Sequence, residues 1–209
     1  MSHFRKKRIQ KKIGKRGLIV CEGETEENYF KGLITEDVYK RKFQAIDVSI
    51  FKPKDHSPVG LINEGKRRLK EAKKEGNPYD FVWAIFDKDG HAKIPDAFDL
   101  ALNTKPQIRI AFTIPCFEFF VLLHFERTTK PFRKGDEVIS QIQKKWFKDY
   151  KKATNIFEQL QVRKKIGIAN SKWVVERSKV DLNNGVKIYD LPAYSNVHEL
   201  IEFLYDVIK

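Results

Sequence analysis

The stretch that most constrains this chain is Phe81-Val82-Trp83-Ala84-Ile85-Phe86, an apolar run that stops abruptly at Asp87-Lys88-Asp89-Gly90-His91. Unbroken apolar residues over this length read as a strand buried on both faces, which is the habit of parallel sheets. The sudden charge and Gly90 mark where the strand leaves the core. In open parallel sheets chemistry collects beyond the carboxyl ends of the strands. Two carboxylates one residue apart repel, and a cation shared between them relieves that repulsion.

The flanking sequence supplies the rest of such a sheet. Leu18-Ile19-Val20-Cys21 reads as a short strand running into Glu22-Gly23, and Tyr29, Phe30, Leu33 and Ile34 then recur at helical spacing. A second strand over residues 45–51 is stopped by Pro53, and Leu61, Ile62, Gly65, Leu69 and Ala72 line one side of the next helix. A short helix over 95–102, a strand over 107–112 and an apolar helix over 115–125 follow. Strands alternating with helices predict a parallel α/β sheet of about four strands flanked by helices. From Lys130 onward the pattern predicts a basic, mainly helical region, with a turn-rich link at residues 181–185. The expected organisation is a basic N-terminal arm over 1–16, an α/β core over 17–128, and a helical region over 129–209 packed on it.

Charge narrows the partners. Lys and Arg number 41 against 28 Asp and Glu, a net charge of +13, which suits a polyanion such as nucleic acid. Arg5, Lys6, Lys7, Arg8, Lys11, Lys12, Lys15 and Arg16 stand together with no acidic residue among them, a block able to neutralise phosphates without reading sequence. Cys21 and Cys116 are the only cysteines and lie in apolar contexts, as expected of reduced, buried thiols in a cytoplasmic protein. No apolar run is long enough to span a bilayer, so no membrane partner is expected.

If the strands ending at Glu22 and Asp87 belong to one parallel sheet, their carboxyl ends face the same edge and three carboxylates can converge. Mg²⁺ or Mn²⁺ accepts oxygen ligands and leaves room for a phosphate. Taken singly, Glu22 and Glu26 also fit acids complementing a helix dipole, and Asp87 with Asp89 also fits an Asx turn. Their joint occurrence at two strand ends favours a site. Glu24 and Glu26 are secondary candidates.

An apolar strand ending in Glu-Gly, followed by one ending in Asp-x-Asp, resembles the Toprim domain. More closely, residues 18–30 (LIVCEGETEENYF), 86–91 (FDKDGH) and 115–125 (PCFEFFVLLHF) together resemble RloB-like proteins, Toprim-type proteins associated with bacterial restriction and phage-defence loci. The resemblance implies a Toprim-like fold and a metal-dependent nuclease acting on DNA or RNA, with tRNA among the candidate targets and another defence-system protein a candidate partner. It implies Glu22 as general acid/base or metal ligand and Asp87 and Asp89 as the metal pair. Ile114 stands where the family pattern leads one to expect Asn.

Glu118 sits among Phe117, Phe119 and Phe120, where an unpaired carboxylate is costly, so a partner or the same metal is expected there. His91 is a candidate to donate to a phosphate or to the leaving group. His124 does not share a helical face with Glu118 and reads as a hydrogen-bonded structural residue. Strand alternation turns Lys88 away from Asp87 and Asp89, toward solvent. Two other readings compete. A haloacid-dehalogenase-like phosphatase would use Asp87 as nucleophile and Asp89 as acid and base, but leaves Glu22-Gly23 unexplained. A catalytically inactive nucleic-acid-binding module would use the basic surface and not require the acids.

Overall fold

The computed structural model describes residues 14–209. Its centre is a sheet in the order β2-β1-β3-β4-β5, built from β1 (Arg16–Cys21), β2 (Asp47–Phe51), β3 (Phe81–Asp87), β4 (Ile108–Ile114) and β5 (Tyr194–Ser195). The first four strands are parallel, as the alternation of elements predicted, and β5 pairs antiparallel with β4. The sequence reading lacked β5. It is two residues long, and Asn196 completes the edge with its side chain: Oδ1 accepts the Phe112 N–H at 2.7 Å and Nδ2 donates to the Ile110 carbonyl at 3.2 Å. Such pairing leaves no periodicity to read.

Side-chain alternation splits the core in two. Leu18, Val20, Val82, Ala84 and Phe86 pack with α3 (Pro58–Lys74) and α4 (Ile94–Leu102). Ile19, Cys21, Trp83 and Ile85 face the opposite side, where α1 (Glu24–Thr35), α2 (Asp37–Phe43) and α5 (Phe117–Leu123) lie. The remaining helices, α6 (Gly135–Lys145), α7 (Phe157–Gln161), α8 (Lys164–Asn183) and α9 (Val197–Val207), build their buried residues into that second layer. The C-terminal region therefore shares one core with the α/β part and adds a strand to its sheet. Two places differ further from expectation. Helix α2 was not foreseen, and α8 runs through the first part of the link expected at 181–185, with Gly185 turning after it at φ +89°.

Close approaches explain two glycines. A Cβ on Gly32 would stand 2.4 Å from the Phe157 ring, and one on Gly167 would stand 2.7 Å from the His124 imidazole. These contacts seat α7 on α1 and α8 on α5. His124 is buried, with Nδ1 3.0 Å from the Phe120 carbonyl and Nε2 3.3 Å from the Tyr29 hydroxyl. The pattern defines a neutral ring that donates through Nδ1 and accepts from Tyr29, a structural histidine as expected. Burial pushes its pKa down to about 4.

Chain order also locates the functional edge. From β1 the chain passes by α1 and α2 to β2 on one side, then by α3 back over β1 to β3 on the other. The reversal lies between β1 and β3, and in such sheets a crevice opens there, beyond the carboxyl ends of the strands.

Candidate metal and catalytic site

Glu22, the first residue after β1, and Asp87, the last residue of β3, stand at this crevice. The Glu22 N–H extends the ladder to the Ile85 carbonyl at 3.0 Å, and Glu22 Oε2 accepts the Asp87 N–H at 3.0 Å. Asp87 Oδ1 in turn accepts the Asp89 N–H at 3.1 Å, so the Asx turn considered from sequence is present and coexists with the cluster. Lys88 N–H bonds the Thr113 carbonyl and Asp89 N–H the Pro115 carbonyl, both at 3.1 Å, anchoring the loop to the end of β4.

Gly90 then takes φ +79°, a left-handed conformation that glycine adopts without strain. His91 N–H closes the turn on the Lys88 carbonyl at 3.0 Å, and His91 Nε2 arrives 2.8 Å from Glu22 Oε1. Ligand-capable atoms of Glu22, Asp87 and His91 consequently lie within 4.8 Å of one another, a group able to hold a metal ion. The sequence reading placed Asp89 and Glu118 among the metal ligands. Both line the same pocket but fall outside this close group: Asp89 is turned toward Lys152, 3.7 Å away, and Glu118 accepts a bond from the Tyr150 hydroxyl at 3.1 Å. Lys88 is half-buried rather than fully solvated, because its backbone is tied into the sheet edge.

The pocket has a volume of about 350 Å³ and is lined by Glu22, Glu26, Asp87, Asp89 and Glu118, with Lys52, His56 and Lys152 among the basic residues around them. Glu118 is 2% exposed, Glu26 4% and Asp87 7%, so three acids share the floor. Burial raises the Asp87 pKa well above the carboxylate range, and the charges of Glu22, Glu26, Asp89 and Glu118 raise it further. Burial also lifts Glu26 to about 8, with Glu118 and Glu22 adding to it against its own backbone N–H and Lys152. Thr113 stands beside Asp87 in the β3–β4 register, and its buried hydroxyl bonds no group of the protein. Crowded, desolvated acids with unused oxygens fit a divalent cation, whose charge would remove the repulsion.

Of the secondary candidates, Glu26 reaches the floor while Glu24 stays at the exposed rim, 3.6 Å from Lys52 Nζ. Lys15 and Arg16 are the only members of the basic block within the described residues; Arg5, Lys6, Lys7, Arg8, Lys11 and Lys12 lie outside them. Arg16 is not part of an arm. It begins β1, its Nε lies 3.3 Å from Asp47 Oδ2, its guanidinium bonds the Asn77 carbonyl, and it stacks 4.1 Å from the Tyr79 ring centroid. These contacts knit three strand beginnings together.

Sequence reasoning missed Lys152 and Ala153, which line the pocket from the loop between α6 and α7, and Tyr150, which bonds Glu118 from the same loop. Nothing marks Lys152 within the run Tyr150-Lys151-Lys152, since the signal is the loop's position and not its composition. Among the described residues, no helix is long and apolar enough to cross a membrane.

No curated protein and no solved structure matches this chain. The family model for RloB-like protein matches residues 17–204, from the first strand into the last helix, and so includes every residue of the pocket. The chain belongs to the RloB-like family.

Proposed function

We propose that this chain is a divalent-metal-dependent phosphodiesterase of the Toprim type, hydrolysing DNA or RNA in phage defence. The observation that carries the reading is the meeting of Glu22 and Asp87, from adjacent parallel strand ends, with Asp89, Glu26 and Glu118 around one open pocket. Membership in the RloB-like family fits a defence-associated role. The net charge of +13 suits a polyanionic substrate although the pocket itself is acidic, a contrast that a metal-dependent site on a nucleic-acid-binding surface would require.

Glu22 and Asp87 would hold Mg²⁺ or Mn²⁺ with His91 in ligand reach, while Asp89, Glu26 and Glu118 line the adjoining pocket. A bound divalent ion polarises a phosphoryl oxygen and lowers the pKa of its water. His91, bonded to Glu22, fixes the carboxylate's orientation and is placed to exchange a proton with it. The phosphatase reading loses support because it gives no role to Glu22, which bonds the backbone of Asp87 directly.

The deciding experiment incubates purified protein and Mg²⁺ or Mn²⁺ with DNA, tRNA and p-nitrophenyl phosphate, beside the Asp87→Ala variant. Cleavage of nucleic acid by the wild type alone is expected. Hydrolysis of the small monoester alone would instead identify a phosphatase, and binding without turnover an inactive module.

A further inference from the structure

The loop between α6 and α7 enters the pocket from the C-terminal region, and its attachment is specific. Ala153 adopts φ +65°, a left-handed conformation unusual for a residue with a side chain. It is held there by α1: the Ala153 N–H donates to Thr25 Oγ1 at 3.0 Å, and its carbonyl accepts from Asn28 Nδ2 at 3.2 Å. On the other side, the Tyr150 carbonyl accepts from Gln143 Nε2 at 2.8 Å while the Tyr150 hydroxyl donates to Glu118 Oε1 at 3.1 Å. Between these anchors Lys152 projects into the pocket, its Nζ 3.7 Å from Asp89 Oδ2, and its side chain remains half-exposed. Lys52, the other pocket lysine, instead lies 3.6 Å from the exposed Glu24.

A phosphodiester entering this pocket meets six acidic side chains, and a single divalent ion offsets only part of their charge. A protein cation held against the phosphate answers that need, and Lys152 is the ammonium group fixed closest to the Asp89 side of the site. Resting on the phosphodiesterase reading, we propose that Lys152 is a catalytic residue that contacts a non-bridging oxygen of the scissile phosphate. In the reaction a water oxygen bonds phosphorus as the bond from phosphorus to the leaving oxygen breaks. The water gives up a proton to a pocket carboxylate or solvent, and the leaving oxygen gains one. Lys152 stays protonated throughout and stabilises the charge that develops on the phosphoryl oxygens. Tyr150 and Ala153 are positioning elements for it.

The test uses the full chain with Mn²⁺ and bis(p-nitrophenyl) phosphate, comparing wild type, Lys152→Met and Lys152→Arg. Lys152→Met should lower kcat by about 10²–10³-fold, the scale of losing one aimed transition-state donor, with a smaller change in KM. Lys152→Arg should recover part of that loss. Mn²⁺ affinity, measured by calorimetry, should be unchanged or tighter in Lys152→Met because a competing cation is removed, and the melting temperature should hold. Full turnover by Lys152→Met overturns the proposal and leaves the phosphodiesterase reading intact. So does a loss of turnover that follows a loss of Mn²⁺ binding or of melting temperature, since that is a structural role. Absence of turnover by the wild type on bis(p-nitrophenyl) phosphate and on DNA and tRNA alike overturns both.

Discussion

Glu22 Oε2 accepts the backbone N–H of Asp87 at 3.0 Å, so the carboxylate just beyond β1 is tied to the chain at the point where β3 ends. The bond fixes one acid relative to another without spending either Asp87 side-chain oxygen. It also holds the cluster together where like charges would drive it apart.

That repulsion predicts a metal-dependent stability. Glu26 has a pKa of about 8 in the fold against an ordinary value of 4.5, so between those values the folded state binds a proton that the unfolded state does not. Asp87 is displaced in the same direction. Stability of the metal-free protein therefore falls as pH rises through this window. At pH 8, Mg²⁺ or Mn²⁺ at a hundred times its Kd should restore about 2.7 kcal/mol, and a chelator should reverse the gain. Asp87→Asn should melt higher without metal and respond little to it. A calorimetric scan of both proteins with and without metal decides the matter, and equal metal responses would refute the site.

Gly90 is required for its backbone and not for space, because a Cβ there meets nothing within 4 Å. Gly90→Ala should cost about 1 kcal/mol from the left-handed conformation and loosen the turn that brings His91 to Glu22. Activity should fall by more than this loss of stability explains. Gly76 also takes a positive φ, +73°, outside the pocket. Gly76→Ala supplies the control, with a comparable stability loss and unchanged activity.

His124 supplies a pH dependence of opposite sign. Its pKa is about 4 in the fold against an ordinary 6.5, so the unfolded state takes up the proton first on acidification. Its contribution is whole above about pH 6.5 and is lost as pH falls toward 4. At roughly 1.4 kcal/mol per pH unit the gap is worth on the order of 3 kcal/mol, of which roughly 2 should vanish between pH 7 and pH 5. His124→Phe should be less stable at pH 7, where Tyr29 loses its acceptor, but should lose less on moving to pH 5. Urea titrations at the two pH values measure the difference.

The basic block divides at the start of β1. Removing residues 1–13 takes away Arg5, Lys6, Lys7, Arg8, Lys11 and Lys12 and should flatten the salt dependence of nucleic-acid binding while leaving the melting temperature in place. Arg16→Ala should do the reverse, costing about 1–3 kcal/mol through lost hydrogen bonds to Asp47 and Asn77 with little change in the salt slope. Fluorescence anisotropy across a salt titration separates the two effects.

By itself the sequence determined the parallel strands, most of their helices and the two strand ends where Glu22 and Asp87 stand. Those features are local: an unbroken apolar run can be satisfied only inside a covered sheet, and the first charge after it marks the exit. The tertiary structure alone decided the contacts that complete the sheet edge and surround these acids. His91 arrives through a left-handed turn at Gly90, β5 pairs over two residues with an asparagine side chain completing the edge, and Lys152 arrives on a loop from a distant part of the chain pinned to α1. Each depends on a single bond or backbone angle, and such relationships leave no period in the sequence to read.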